Sequence, residues 1–472
     1  MFAIEYYNPR RKEEHQGRFF KKPDVQDIAR YEKAASSWRA LVPDFVPDQK
    51  IQSGDETNRL HRWGYRHYRE MFNERQLFGL ELSCRLISRV KDKRIRHALA
   101  TNLSDLLRYQ NILCRYDTMA LKSLDIFSVH GFPVGLVQCE SSLLGTTNGK
   151  GANVGSGGWT NIIDKYEKAK RYCSEPFEVK RSGTRKIVVP IKREWIGEWA
   201  NGANGRSVSL HCASSTNLDL SPAILDAVFT DPPYFGNVQY GELMDFCYVW
   251  LRRLVGPDID GFTHESSLSS DELTGNVTQA RGLEHFTEGL ASTYTAMTRA
   301  LKPGAPLAFT FHHNREHVYH AVGVAILDAG LTCSATLPCP AEMGGSIHIH
   351  GTVSSIVDTV FVCRAPKDIG REKTFSESDS LKSRVEQELA QLRVAGMRPT
   401  LGDIRCIVFG HLTRLAIARL QKKWDRTLST ADKLDRFSSA FAAVDDMKCI
   451  LDELAGTKTQ DTEPTVSASL YS

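Results

Sequence analysis

The sequence predicts an α/β protein: a mainly parallel sheet layered with helices, with helical regions at both ends of the chain. Three observations predict it. The run Ala227-Val228-Phe229-Thr230 is continuously apolar, as expected of a strand buried on both faces. Strand-like and helix-like patterns alternate from residue 186 to residue 363, which implies parallel strands joined by crossovers, with helices on both faces. Before residue 131 and after residue 364 the periodicity is helical and no strong strand stands out.

Taken in order, residues 75–90 and 95–107 read as helices. Residues 134–139 read as a short strand, followed by a glycine-rich loop over 145–158 and a helix over 161–172. Short apolar segments at 187–190 and 208–211 precede the strand 227–230. A helix over 242–255 has Leu243, Phe246, Val249 and Leu254 recurring at three- and four-residue steps. Residues 257–279 are polar, with turn residues and no core face. Then come a helix (285–301), a Lys302-Pro303-Gly304 turn, the strand Leu307–Phe311, and a helix over 316–329 closed by Gly330. A strand near 331–337 and a last strand over 356–363 complete the alternation. Helices are expected at 380–394, 404–421 and 431–454. The division expected from composition is 1–131, a helical, basic and aromatic region; 132–365, the α/β domain; 366–455, a helical region; and 456–472, a disordered Thr/Ser-rich tail.

The 472 residues suffice for two or three domains. A hydrophobic content of 41% and a charged content of 25% are ordinary for a globular chain. A net charge of +4 suits a nucleic-acid partner without demanding one. The start has no basic-then-apolar leader, and no apolar run reaches the roughly 18 residues of a membrane span. The 11 cysteines are scattered and form no C-x-x-C pair, so neither a disulfide framework nor a zinc site is expected. A reducing cytoplasm is the expected compartment, with no membrane partner.

The segment that carries chemistry is Asp231-Pro232-Pro233-Tyr234, at the carboxyl end of the apolar strand. In open α/β sheets ligands bind at that end. An exocyclic ring amine is a poor nucleophile because its lone pair is delocalised into the ring. The Asp231 carboxylate and the Pro232 carbonyl form an acceptor pair able to hold both N–H groups and draw the lone pair out of the ring plane. Consecutive prolines fix φ and remove two donors, stiffening the loop. Tyr234 offers a ring on which an extruded base can stack. Asp-Pro is also ordinary turn chemistry, so the four letters alone do not decide; the apolar strand before them and the helix after them do.

Residues 230–253, TDPPYFGNVQYGELMDFCYVWLRR, resemble the catalytic segment of the zinc-ribbon-containing adenine-specific DNA methylases. Segments in the same order elsewhere are similar to that family too: GRFFKKPDVQDIARYE (17–32), ETNRLHRWGYRHYREMFNERQL (56–77), LKPGAPLAFTFHH (301–313) and SSIVDTVFVCR (354–364). The resemblance runs along nearly the whole chain. It implies a Rossmann-like methyltransferase sheet with an antiparallel last strand, S-adenosyl-L-methionine as cofactor, DNA as substrate, and Asp231, Pro232, Pro233 and Tyr234 as catalytic positions. Adenine N6 is favoured over cytosine N4 because Asp rather than Ser begins the motif. Relatives carry an upstream portion with an F-x-G-x-G cofactor loop, downstream of which this chain is expected to begin. The sheet is accordingly expected to be incomplete. Residues 6–15 lie where relatives resemble a zinc ribbon but contain no cysteine, so no metal is expected there.

The local candidate for cofactor approach is the loop Gly149–Gly158, with Gly155, Gly157 and Gly158 nearest the following helix, because glycine lets backbone approach a ligand closely. Ser214, after a short strand, borders the cofactor by position only. The alternative is a second polypeptide that carries the cofactor-binding loop. For DNA, residues 59–69 interleave basic and aromatic side chains, and Arg62, Trp63 and Arg66 are the expected contacts. A second basic run over 85–97, with Arg89, Lys91, Lys93, Arg94 and Arg96, reads first as a solvated helical face. His312 and His313 end a strand beside the motif and suit a structural or substrate-positioning role. His348 and His350 lie in a loop, and a metal role for them has no support beyond residue type.

The leading expectation is thus an N6-adenine DNA methyltransferase, one half of a split enzyme. Its rivals are a catalytically silent DNA-binding subunit and an amino-methyltransferase acting on RNA or on cytosine N4. Restriction-linked marking, phage defence and regulation would all use this chemistry.

Overall fold

The computed structural model describes residues 1–10, 15–135, 137–182, 185–192, 208–341, 355–366 and 378–442. His348, His350 and the tail over 456–472 lie outside them. The chain is mixed α/β, with eleven α-helices and small sheets among the described residues. None of these helices is long and apolar enough to cross a membrane. Two compact units form, one from Met1–Cys212 with Gln239–Ser269, the other from Ala213–Val238 with Ser270–Ser472. Compactness therefore divides the chain differently from composition.

Unit 1 opens with an antiparallel hairpin, β1 (Ile4–Tyr7) and β2 (Arg18–Lys21), in a stretch where no strand was expected. Helices α1 (Val25–Arg39), α2 (Thr57–Arg62), α3 (Glu74–Ser88) and α4 (Lys93–Leu107) follow. Asp24, Asn73 and Asp92 cap α1, α3 and α4 by accepting from first-turn amides, as short polar side chains do. Two-residue pairs come next: β3 (Tyr116–Asp117) with β4 (Lys122–Ser123), and β5 (Thr146–Thr147) with β6 (Asn153–Val154). Helix α5 (Trp159–Ser174) and the hairpin β7 (Phe177–Ser182) with β8 (Arg185–Pro190) precede α6 (Tyr240–Val255).

Residues 132–174 belong with the amino-terminal helices because polar contacts tie them there. Trp159 Nε1 donates to Ser83 Oγ at 3.1 Å, and the buried Gln110 Nε2 donates to the Gly157 carbonyl at 2.8 Å. Helix α6 joins the same unit through two buried carboxylates. Glu242 accepts from Glu56 N, Thr57 N and Thr57 Oγ1, and Asp245 accepts from Tyr68 Oη and Ser267 N. Three expected strands change status. Among the described residues 134–139 and 208–211 form none: Val137, Val208 and Leu210 are exposed, so no apolar face asks for burial. Residues 187–190 form β8, whose only partner is β7.

Unit 2 holds one four-stranded sheet, built from β9 (Val228–Thr230), β10 (Leu307–Phe311), β11 (Thr332–Pro340) and β12 (Val357–Arg364) in the order β11-β12-β10-β9. The expectation of a mainly parallel sheet is corrected here: only β9 and β10 run parallel, and β12 is antiparallel to both of its neighbours. The expected antiparallel last strand is present. The physical reason lies in the connections. Helix α7 (Leu283–Ala300) bridges β9 to β10 as a crossover, whereas β12 returns along both β10 and β11.

Among the described residues, helices α7, α8 and α10 lie against one face of this sheet. Phe309 stacks on Phe361 at 5.2 Å and on Tyr294 of α7 at 5.0 Å. Phe311 meets Tyr319 of α8 (Glu316–Asp328) at 5.4 Å, edge to face. After α9 (Ser378–Val394), helix α10 (Leu401–Leu420) closes on Thr359, whose hydroxyl donates to the Cys406 carbonyl. Helix α11 (Thr430–Ala442) brings Phe437 so close to Gly323 that a Cβ there would meet its ring at 2.0 Å. On β12, Val357, Thr359, Phe361 and Cys363 are buried while Asp358, Val360, Val362 and Arg364 are half-buried. This period of two marks a sheet packed on one side.

Among the described residues strand β9 pairs with β10 alone, and Phe229 is 78% exposed. The run 227–230 is therefore not buried on both faces. The turns at Gly304 (φ +78°) and Gly330 (φ +75°) fall where expected. Each glycine occupies the left-handed region that a reversing chain requires.

Candidate active site and nucleic-acid surface

The loop after β9 begins at the carboxyl end of the parallel pair. Asp231 follows Thr230, which registers with Phe309, so Asp231 emerges beside Thr310. The Thr310 hydroxyl donates to Asp231 Oδ1, and the Tyr234 hydroxyl donates to the same oxygen at 3.3 Å. Among the described residues Asp231 Oδ2 and the Pro232 carbonyl accept no hydrogen bond. One carboxylate oxygen is therefore an anchor, and the other, with the adjacent carbonyl, is left as an acceptor pair. Pro232 is buried, Pro233 and Tyr234 are half-buried, and Asp231 is exposed.

The Tyr234 ring is held on two sides. It meets Phe311 edge-on at 5.6 Å and His312 at 4.4 Å with a 55° tilt. Burial, and then the negative charges of Asp358 and Asp231, push its hydroxyl far above the usual phenol range. The hydroxyl thus stays a proton donor. His312 Nδ1 lies 2.5 Å from Asp358 Oδ1, so Asp358 fixes the imidazole from the neighbouring strand β12. His313 has a different task. Its Nδ1 accepts from Arg315 N at 3.0 Å, which makes Nε2 the protonated nitrogen that donates to the Phe235 carbonyl at 3.1 Å. Burial pulls its pKa down to about 4, so the neutral ring clamps the loop just after the motif. His312, Thr310 and Asp358 join the four motif residues in space. Of these, Thr310 and Asp358 escaped sequence reasoning.

The glycine loop belongs to unit 1 and the motif to unit 2. Gly155 and Gly157 have positive φ, and Gly158 is the residue before α5. A Cβ on Gly157 would meet the Tyr109 side chain at 2.4 Å, and one on Gly158 would meet Gly145 backbone at 2.5 Å. Packing against protein accounts for both, whereas Gly149, Gly151 and Gly155 of the same loop have open space beside them. The first amides of α5 are already engaged: Trp159 N donates to the Leu143 carbonyl and Thr160 N to that of Leu144. Ser214 Oγ shares a hydrogen bond with Thr216 Oγ1 at 2.8 Å, in the other unit.

The basic and aromatic run sorts into two groups. Trp63 is 53% exposed, and Arg62 makes no hydrogen bond or ion pair among the described residues. Arg66, by contrast, donates to the carbonyls of His61 and Tyr65 and thereby braces the turn after α2. The second run is partly paired, at Arg85, Lys93, Arg96 and His97. Arg96, Lys93 and His97 surround Asp258, and Arg85 bridges Glu81 and Asp44. Comparison of the chain with family models, curated proteins and solved structures finds no match.

Proposed function

We propose that unit 2 carries the amine-holding half of an S-adenosyl-L-methionine-dependent DNA amino-methyltransferase, with adenine N6 as the acceptor and a second polypeptide supplying the donor site. The observation that carries this reading is the acceptor pair at the strand end, Asp231 Oδ2 with the Pro232 carbonyl, beside an oxygen fixed by Thr310 and Tyr234. The donor, when bound, supplies an electrophilic methyl group on sulfur. The chain's own residues do the rest. The two acceptors take the two amine hydrogens and localise the lone pair, while the braced Tyr234 ring stacks on the extruded base. The four strands of unit 2 are read as the substrate half of a Rossmann-like sheet, with Phe229 exposed on β9. The resemblance of residues 230–253 to adenine-specific DNA methylases supports the same assignment.

The packing that accounts for Gly157 and Gly158 supports the split arrangement. It equally favours a second reading, a DNA-binding subunit that retains the motif without chemistry. Co-expression of the chain with the reading frame beside its gene separates the two. N6-methyladenine should appear in the host DNA and fall by at least about a hundredfold with Asp231→Ala, the loss of an interaction made in the transition state. If folded, co-expressed wild-type protein leaves adenine unmodified, or Asp231→Ala methylates equally well, the enzymatic reading is wrong.

A further inference from the structure

A depression of about 540 Å³ in unit 1 is lined by Arg59, Arg62, Trp63 and Arg115, with Pro133 and Val134 among its apolar wall. We propose that it is a nucleotide subsite for single-stranded nucleic acid, with a backbone phosphate against the guanidiniums and one base on Trp63. The inference takes nucleic acid as the partner but not methyl transfer: a DNA-binding subunit without chemistry would carry the same site.

Charge is the first argument. Three guanidiniums come to one hollow from segments 53 positions apart in the chain, Arg62 to Arg115. Among the described residues only Arg59 has a carboxylate within ion-pair distance, Glu56 Oε1 at 3.7 Å. That carboxylate is itself engaged, accepting from Phe132 N at 2.6 Å. Arg62 has no partner among the described residues. Arg115 is half-buried, with a single bond from Nη2 to Ser128 Oγ at 3.3 Å, and its Nε is buried without a hydrogen-bond partner. Guanidiniums lining an open hollow with so little neutralising carboxylate make it attractive to an anion. The guanidinium fork matches two phosphate oxygens at once.

The second argument is the aromatic. Trp63 ends α2, where its N–H turns back on the Leu60 and His61 carbonyls, and Gly64 (φ +93°) turns the chain away with nothing within 4 Å. The indole is thereby left 53% exposed at the rim of the hollow. An exposed indole face beside unneutralised guanidiniums is the pairing that single-strand binding uses, since every base has a π-face and every nucleotide a phosphate. In a duplex the base faces are stacked away, so Trp63 can be used only by an unpaired base. The volume is within the range of about 300–1,000 Å³ typical of ligand sites.

The test is fluorescence anisotropy of a short labelled DNA single strand and of its duplex, titrated with the full-length chain across about 50–200 mM salt. Arg62→Ala and Arg115→Ala should each weaken single-strand binding and lower the log–log salt slope by about 0.7. Arg62→Lys should restore the slope. Trp63→Ala should cost at least about fivefold in affinity for the single strand with the slope unchanged, and leave the duplex unaffected. Arg62 is exposed and unpartnered, so Arg62→Ala does not threaten the fold, and unchanged single-strand binding in that variant overturns the proposal. So does an equal loss on single strand and duplex with Trp63→Ala. Tight binding of polyglutamate, lost in the same three variants, would assign the hollow to an acidic polypeptide and overturn it as well.

Discussion

Acidification from pH 8 to pH 5 should destabilise unit 2 through two histidines that fold in the neutral state. Burial pulls both His313 and His320 from the ordinary imidazole value of about 6.5 down to about 4. The unfolded chain binds these protons more readily than the folded one. Stability is therefore full above about pH 6.5, declines as pH falls toward 4, and levels off below. A drop of roughly 2.5 units corresponds to about 3.4 kcal/mol per histidine at the limit, and about 2 kcal/mol of that is lost by pH 5. Solvent at the half-buried His313 ring screens the effect, so about 1 kcal/mol per histidine is the expected loss at pH 5. The carboxylates with depressed pKa, such as Asp24 at about 2, lose their contribution only at lower pH, which leaves this window to the histidines. Urea unfolding at pH 8 and pH 5 measures the difference, in wild type and in a His313→Gln/His320→Gln double variant. Wild type should lose about 2 kcal/mol more than the variant. Equal losses in the two proteins would refute the assignment of neutral, buried rings.

Gly323→Leu should lower stability by about 1–3 kcal/mol in thermal melts, because any side chain there drives into Phe437, whose ring lies 2.0 Å from the Cβ position. Glu242→Ala should cost about 2–4 kcal/mol in urea unfolding, since it strands the amides of Glu56 and Thr57 in unit 1, while the Thr57 hydroxyl keeps the Gln52 carbonyl. Glu242→Gln should cost less. Thr310→Val should reduce adenine methylation about tenfold while leaving the melting temperature within a few degrees, because it removes one anchor of Asp231 but preserves shape. A Thr310→Ser variant should recover most of the activity.

Much of unit 2 was legible because its signals are local. The positive-φ turns at Gly304 and Gly330 carry their reason in the residue itself, and the apolar runs at β9, β10 and β12 are recognisable by texture. What pairs with what was not legible. Phe229 sits in a run with the composition of a doubly covered strand, yet nothing in four letters says that its side chain lies exposed. Asp358 sits 46 positions after His312 and meets it only because β12 lies antiparallel to β10. Arg115 looks like any surface arginine until the chain brings it to Arg62. The local bonds of Arg66 were equally unreadable: its hold on the His61 and Tyr65 carbonyls follows from the turn after α2, not from its charge. The segment 134–139 misled through β-branched content alone. Among its described residues the segment makes a single backbone bond to another segment, Cys139 N to the Cys114 carbonyl at 3.0 Å, and forms no strand.

The chain passes between its two units at residues 212, 238 and 269, so neither unit is a continuous piece of sequence. Synthesis from the amino terminus must therefore leave unit 1 without α6, and its buried carboxylate contacts unmade, until residue 269 has been added. At about 5–20 residues per second that interval is on the order of 3–10 s, long enough for unsatisfied apolar surface to recruit a chaperone. Truncation at residue 238 would reproduce that nascent species, with the α6 contacts of unit 1 missing.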